Sequence, residues 1–336
     1  MVPHLPIGGA AVPTSSSFLL VTGATGKQGG AVVRALLASH LPVHALVRDT
    51  DTERAAALRE LGAVLVRGDL DDAPSLEAAL DNAHAVFSVQ TPDISDLLGD
   101  SEVRHGHNLI KAARRARVGH VVHTSVSGVG TIDVEHFDEQ RWGSFTRHYY
   151  RSKAAVENFV RTAGFPQWTI LRPATFMENF VRPSPYFADM TSNRLVVAVD
   201  PDVEHPFVAV DDIGTAAAAA LAEPERFHGV ELELAGDVLS FRDAAQILSR
   251  ELGTAIELAP SPEPARAEGL LTALFQAQQH MSAHPAPARP RSAAHLGVPT
   301  TTFTDWARNT LGNRSSGSAA NSRRLSAPAP PPQSGW

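Results

Sequence analysis

Near the amino end, VTGATGKQGG (21–30) places glycines at 23, 26 and 29 between an apolar run, FLLV (18–21), and a segment whose apolar residues recur at helical spacing (27–39). Few chains can satisfy that arrangement except by a strand, a tight turn and a helix. Gly23 permits the turn, Gly26 lets the backbone approach a ligand with no Cβ in the way, and Gly29 lets the helix pack closely on the strand. The first N–H groups of the helix then have no partner within it, which favours a phosphate there. A glycine motif carries meaning only in this context, and here strand, spacing and helix agree.

The same alternation continues along the chain. VHALV (43–47), AVLVRGD (63–69), AHAVFSV (83–89), VGHVVHTS (118–125) and QWTILRP (167–173) read as strands. The segments 52–61, 101–116 and 149–163 read as helices, and Pro74 opens another. The strands are nearly continuous Val/Leu/Ala runs, as burial on both faces requires. Strands separated by helices predict βαβ units. The expected fold is therefore α/β: a doubly wound parallel-sheet Rossmann domain over 18–173, with a smaller C-terminal α/β lid domain over 174–312. The lid is expected to contain the strands LVVAV (195–199) and VELELAG (230–236), a helix over 241–252 and another over 266–280. The helix within 207–222 is expected to return to the main sheet. Residues 1–17 read as a disordered leader and 313–336 as a disordered tail, rich in Ser, Pro and Ala.

Composition excludes several classes. With no cysteine, the chain has no disulfide framework, thiolate nucleophile or cysteine metal site. A net charge of −7 without a basic block argues against nucleic acid. No apolar run approaches the ~18 residues of a membrane span, and the amino end lacks the layout of a signal peptide. The expectation is a cytoplasmic protein with neither nucleic-acid nor membrane partners. The 15 histidines suggest no metal site, because His105-x-His107 is not a helix-face pair. Asp69, Asp71 and Asp72, like Asp211 and Asp212, read as helix caps and dipole partners. A hydrolase is not supported, since no G-x-S-x-G occurs.

The end of the second strand selects the dinucleotide. A carboxylate there would hold a ribose 2′-hydroxyl, whereas a guanidinium suits a 2′-phosphate. Arg48 follows the strand and Lys27 adds a cation in the loop, favouring NADP(H) over NAD(H). Asp49, one step on, is either an N-cap or a ribose ligand. Asp69 and Leu70 follow the third strand, against the adenine or in an Asx turn.

VTGATGKQGG, RGDLDD (67–72), SKAAVENFVRTAG (152–164) and TILRPATFMENF (169–180) together resemble the NmrA-like family of atypical short-chain dehydrogenase/reductases, over about 18–312. That resemblance implies NADP(H) bound through Gly23, Thr25, Gly26, Lys27, Gln28, Gly29 and Arg48, with Lys153 near the nicotinamide ribose. Several members of the family are sensors without turnover, lacking the catalytic Tyr. This chain departs from that habit, because Tyr149-Tyr-Arg-Ser-Lys153 restores the YxxxK pair. With three Tyr and three Lys in 336 residues, the coincidence is rare.

Residues i and i+4 share a helix face. Lys153 there would hold ribose hydroxyls and favour the phenolate of Tyr149, whose ordinary pKa near ~10 is too high for efficient acid–base work. Tyr149 is otherwise a partly buried aromatic. A third hydroxyl belongs just after the fifth strand, where Thr124, Ser125 and Ser127 compete. Ser125 is chosen, against a turn-capping role. Phe176, Met177 and Phe180 either line an apolar substrate pocket or fill the core. The chain reads as a reductase of a small apolar carbonyl, quinone or enone; the alternative is an NADP(H)-responsive regulator acting through a protein partner.

Overall fold

In the computed structural model, residues 17–259, Glu263 and 272–312 are described. The expected leader and tail fall outside them, apart from Ser17. In chain order, β1 (Phe18–Val21), α1 (Lys27–Ala38), β2 (Val43–Val47), α2 (Glu53–Glu60), β3 (Val64–Arg67), α3 (Ala73–Ala79), β4 (Ala83–Val89), α4 (Ser101–Arg115) and β5 (His120–Thr124) alternate strictly. Then come α5 (Glu139–Trp142), α6 (Ser144–Thr162), β6 (Gln167–Pro173), β7 (Thr175–Phe176), β8 (Arg194–Leu195), β9 (Glu204–Val208) and α7 (Val210–Ala222). The described part closes with α8 (Pro224–Phe227), β10 (Val230–Leu234), β11 (Asp237–Ser240), α9 (Phe241–Leu252), β12 (Glu257–Leu258), α10 (Thr272–Ala283), α11 (Pro290–His295) and α12 (Phe303–Ala307).

A seven-stranded sheet runs β10-β6-β5-β4-β1-β2-β3. Its β3-β2-β1-β4-β5 portion is parallel, in the register Val21–Ala45, Val47–Arg67, Val21–Phe87 and Val89–Thr124. That register brings the carboxyl ends of five strands to one edge. The strand order reverses at β1, whose neighbours are β2 and β4, and in a doubly wound sheet ligands bind outside such a switch point. Thr22 fastens this spot: its Oγ1 donates to the Phe87 carbonyl at 3.1 Å and accepts from the Val89 N–H at 3.0 Å.

The chain divides into two compact units. One comprises the chain as far as Thr124 with Ala155–Ile170 and Gly214–Glu231; the other comprises Ser125–Ala154, Leu171–Ile213 and everything from Leu232 onward. The core of the first unit joins Leu20, Leu46, Leu76, Leu80, Val86, Leu109, Val121, Val160 and Ile170, all buried. Small residues set its helix spacings. A Cβ at Gly106 of α4 would lie 2.7 Å from Val156 of α6, and one at Gly214 of α7 would lie 2.6 Å from the Ala31 carbonyl of α1.

The second unit has a three-stranded sheet, β11-β9-β7, and a two-stranded one, β12-β8. Its core is aromatic: Phe180 has the rings of Tyr186, Phe207, Phe241 and Phe303 within 5.3–5.9 Å. Two carboxylates, the buried Asp212 and the half-buried Glu178, tie this unit together. Glu178 accepts from the Trp306 indole N–H and the Val210 N–H, each at 3.0 Å. Asp212 accepts from the Thr301 N–H at 2.9 Å and hydroxyl at 2.8 Å. Asp212 therefore anchors a distant segment and is not simply a helix cap. Asp71 likewise pairs with Arg104 at 2.8 Å and His105 at 2.9 Å.

Several sequence expectations need correction. Of LVVAV, only Leu195 pairs as strand, at the end of β8; Val196–Val199 is buried without a ladder. VELELAG contributes β10 to the seven-stranded sheet. Helix α6 begins at Ser144, five residues before Tyr149, and α10 spans Thr272–Ala283 where a helix over 266–280 is expected, with 266–271 outside the described residues. Of the three residues left open between pocket and core, Met177 and Phe180 belong to the buried core of the second unit and Phe176 is half-buried. Among the described residues no helix is long and apolar enough to cross a membrane.

Two outcomes are expected of this packing. Gly214→Ala forces a methyl against the α1 backbone and lowers stability by about 1–3 kcal/mol, seen as a Tm loss of roughly 2–6 °C; an unchanged Tm would mean that the two helices separate freely. Burial pushes His120 and His205 down to about 4. The unfolded chain takes up protons on these rings below about 6.5 while the folded chain does not, so stability is full above pH 6.5 and falls as pH drops toward 4. Thermal melts across that range check the slope, and a flat profile would overturn it.

Candidate functional site

In the first unit, the β1–α1 turn has the conformation that its glycines imply. Gly23 has φ +58°, and a Cβ there would meet Val89 Cγ1 at 2.6 Å. A Cβ on Gly29 would sit 2.3 Å from the Gly23 carbonyl oxygen, so no side chain fits. The N-cap of α1 is Gly26, which offers no capping side chain, and the first turn carries no acid. The amide end of a 12-residue helix thus stands beside exposed backbone at Gly23, Thr25, Gly26 and Lys27. Gln28 is turned to the sheet, its Oε1 accepting from the Thr124 hydroxyl at 2.7 Å. That bond holds the loop against the end of β5.

One strand over, the 47–67 register puts the residues after β2 beside the end of β3. Gly68 makes the approach close, since a Cβ there would fall 2.7 Å from Leu46 Cδ1. The result is a cavity of about 360 Å³ lined by Arg48, Arg67, Gly68, Asp69, Asp72 and Ser75. Arg67 is absent from the sequence-derived set. The readable sign was its position as the last residue of β3, which a parallel register sets beside the last residue of β2. Asp49 and Asp69 each form an Asx turn, accepting from the N–H two residues on at 2.9 Å, and Thr52 is the side chain that caps α2. Leu70 packs, partly buried, against the core of the first unit, and its carbonyl accepts from Asn108 Nδ2 at 2.9 Å.

In the second unit, the three hydroxyl candidates at the end of β5 have different fates. The Thr124 hydroxyl, still in the first unit, is spent on Gln28, and that of Ser127 donates to Glu233 Oε2 at 2.5 Å. Ser125 is only 5% exposed; its N–H donates to the Leu171 carbonyl at 2.8 Å, but its Oγ is buried without a partner. A buried hydroxyl without a partner is uncommon and calls for explanation.

On α6, Lys153 is buried at 6% exposure, and its Nζ lies 5.5 Å from the ring centroid of Tyr149, one turn earlier. An ammonium over an aromatic ring is held by the ring's quadrupole. The neighbouring Tyr150 meets Tyr149 edge-on at 5.5 Å. Burial, then the nearby Tyr149 and Glu233, pushes the Tyr150 phenol far above its ordinary value. The Tyr150 phenol therefore stays protonated near neutral pH.

Comparison with known proteins agrees with this architecture. The NmrA-like family model matches residues 15–282. An NmrA-like family domain-containing oxidoreductase, malD, of Malbranchea aurantiaca is 30% identical over 247 residues, 68% of this chain and 70% of that protein. Among solved structures, the NADPH complex of the NADPH-dependent quinone oxidoreductase QOR2 of Escherichia coli superposes with a TM-score of 0.69 at 21% identity, covering 87% of this chain and 99% of the other. The NADP complex of NmrA, a negative transcriptional regulator, gives 0.70 at 21% identity, covering 90% and 98%. With its glycine turn, its seven-stranded sheet and a family match over most of its length, this chain belongs to the NmrA-like family.

Proposed function

We propose that this chain is an NADP(H)-dependent reductase of a small apolar carbonyl, quinone or enone. The observation that carries the reading is Ser125, Tyr149 and Lys153 in one unit, with a buried, unpartnered hydroxyl and a buried ammonium beside a phenol ring. The relatives support it, since malD is named an oxidoreductase and QOR2 an NADPH-dependent quinone oxidoreductase.

The residues present fit the cofactor. The β1–α1 turn leaves no room for a Cβ at Gly29, and its helix opens on uncapped amides suited to a pyrophosphate. Arg48 and Arg67 line one cavity, and two guanidinium forks match the dianionic 2′-phosphate that distinguishes NADP(H) from NAD(H). Asp69 and Asp72 share that cavity and disfavour an anion placed without the arginines. Lys153 would hold the nicotinamide ribose hydroxyls.

The bound cofactor supplies the hydride. The chain's own residues handle the oxygen. Ser125 Oγ donates to the substrate carbonyl oxygen and polarises it. Tyr149 donates its phenolic proton to that oxygen as negative charge develops, and the Lys153 ammonium stabilises the phenolate left behind. In the net change, the carbonyl carbon gains a hydride and the oxygen a proton, and the phenolate is reprotonated from solvent.

Purified protein is expected to oxidise NADPH, followed optically, with members of a panel of quinones, enones and aldehydes. Tyr149→Phe lowers kcat at least ~100-fold while NADPH affinity stays within a factor of about three. NADPH binding without turnover on any panel member would overturn the reductase in favour of the regulator. Arg48→Ala and Arg67→Ala each weaken NADPH binding about tenfold, with NADH binding unchanged, by calorimetric titration. Equal losses for both nucleotides would remove the 2′-phosphate role.

A further inference from the structure

A further cavity, of about 690 Å³, is lined only by residues of the second unit, and Ser125, Tyr149 and Lys153 are not among them. Three segments build it: the end of α5, the turn 200–202 ahead of β9, and α10. Helix α10 fastens the other two. Gly143, just after α5, has φ +82°, and a Cβ there would collide with Gln276 Oε1, so α5 ends pressed against α10. At the other segment the Asp200 N–H donates to the Ser282 hydroxyl at 2.8 Å, and Asp200 Oδ1 accepts from the Asp202 N–H at 3.0 Å. Gln279 donates its amide to the Ala198 carbonyl.

The cavity presents one charge of each sign outside any ion pair. The Arg141 guanidinium lies 4.3 Å from the centroid of Trp142, whose own ring stands edge-on to His280 and His284 at 5.6 Å each. Stacking fixes the plane of the guanidinium and leaves its N–H edge available. Asp202 also lines the cavity, but Arg242 bonds it at 2.6 and 3.0 Å and holds its carboxyl below the usual range. Arg141 and Asp200 enter no ion pair among the described residues, and both are exposed. The half-buried Gln276 makes no hydrogen bond among the described residues, so its amide offers a donor and an acceptor.

We propose that this cavity binds a short peptide with both termini free, its carboxylate on Arg141, its ammonium on Asp200 and its amide against Gln276. A guanidinium fork matches a carboxylate, and such charge-assisted bonds are the strong ones. A guest carrying only one charge meets repulsion from the side chain of its own sign. A neutral guest would strip water from both charges and answer neither. The volume lies in the range of drug-sized guests, which suits two or three residues. A single exposed ion pair contributes little, so the site discriminates by meeting both termini at once.

The test uses the full chain and needs neither cofactor nor turnover, so a failed reductase assay leaves it intact. Dialanine is titrated calorimetrically beside N-acetyl-dialanine, which lacks the ammonium, dialanine amide, which lacks the carboxylate, and N-acetyl-dialanine amide, which lacks both. Wild type is expected to bind dialanine about tenfold more tightly than either singly blocked peptide. Arg141→Gln is expected to bind dialanine and its amide equally while still rejecting the acetylated form. Asp200→Asn keeps the acceptor of the Asx turn and is expected to show the reverse pattern. A merely structural effect would weaken every peptide alike and would not cross over in this way. Thermal melts check folding, and if one variant unfolds, the other and the four wild-type titrations decide. No dialanine binding, a blocked peptide bound as tightly as dialanine, or a folded variant that keeps both discriminations would overturn the proposal.

Discussion

Between Gly29 and the carbonyl of Gly23 there is no space for a methyl group, and that contact governs the first unit. It draws the start of α1 onto the end of β1, which points the amide end of the helix across the carboxyl edge of the sheet. Thr22 adds hydrogen bonds on both sides to β4, so the reversal of strand order at β1 is held rigidly. From that edge the parallel register determines what lies beside the turn: Arg48 after β2, Arg67 ending β3 and Thr124 ending β5. A phosphate site at this edge follows from backbone geometry, with side chains adding only selectivity.

Selectivity needs fixed positions, and these come from pairs distant in sequence. Gln28 takes the Thr124 hydroxyl across 96 residues, which leaves Ser125 the next hydroxyl along without a partner. Tyr149 and Tyr150 are adjacent in the chain but differ in chemistry. The helix rotates one toward Lys153 and the other toward the His280 rings, where burial suppresses its ionisation. In the second unit the work of burial is aromatic, with Phe180 at its centre and two carboxylates, the half-buried Glu178 and the buried Asp212, joined to segments about 90 to 130 residues away. Buried acids of this kind cost stability when they lose their partners, so they enforce one arrangement of the unit.

The central strands were legible because burial on both faces writes them as unbroken apolar runs, and the glycine turn because sterics permit little else there. LVVAV misled for the same reason. Val196–Val199 is as apolar as a strand and fully buried, yet it is fastened by side chains, as where Ala198 N–H donates to Gln278. Apolar composition reports burial, and a ladder also needs a neighbour to pair with. Phe176, Met177 and Phe180 were ambiguous on that ground too, since core and pocket ask for the same residue types.

Local covalent and steric rules therefore determined, from the sequence by itself, the β1–α1 turn, the alternation of elements, and the spacing that sets Tyr149 and Lys153 on one helix face. Tertiary structure alone decided the rest. It set Arg67 beside Arg48 through strand register, left the Ser125 hydroxyl without a partner by engaging its neighbours, carried β10 to the edge of the main sheet, and packed Phe137, Trp142, Tyr150 and His284 around the buried His280 ring. Each of these depends on contacts between residues far apart in the chain, which arise only when many buried surfaces are satisfied at once, and no short window of sequence encodes them.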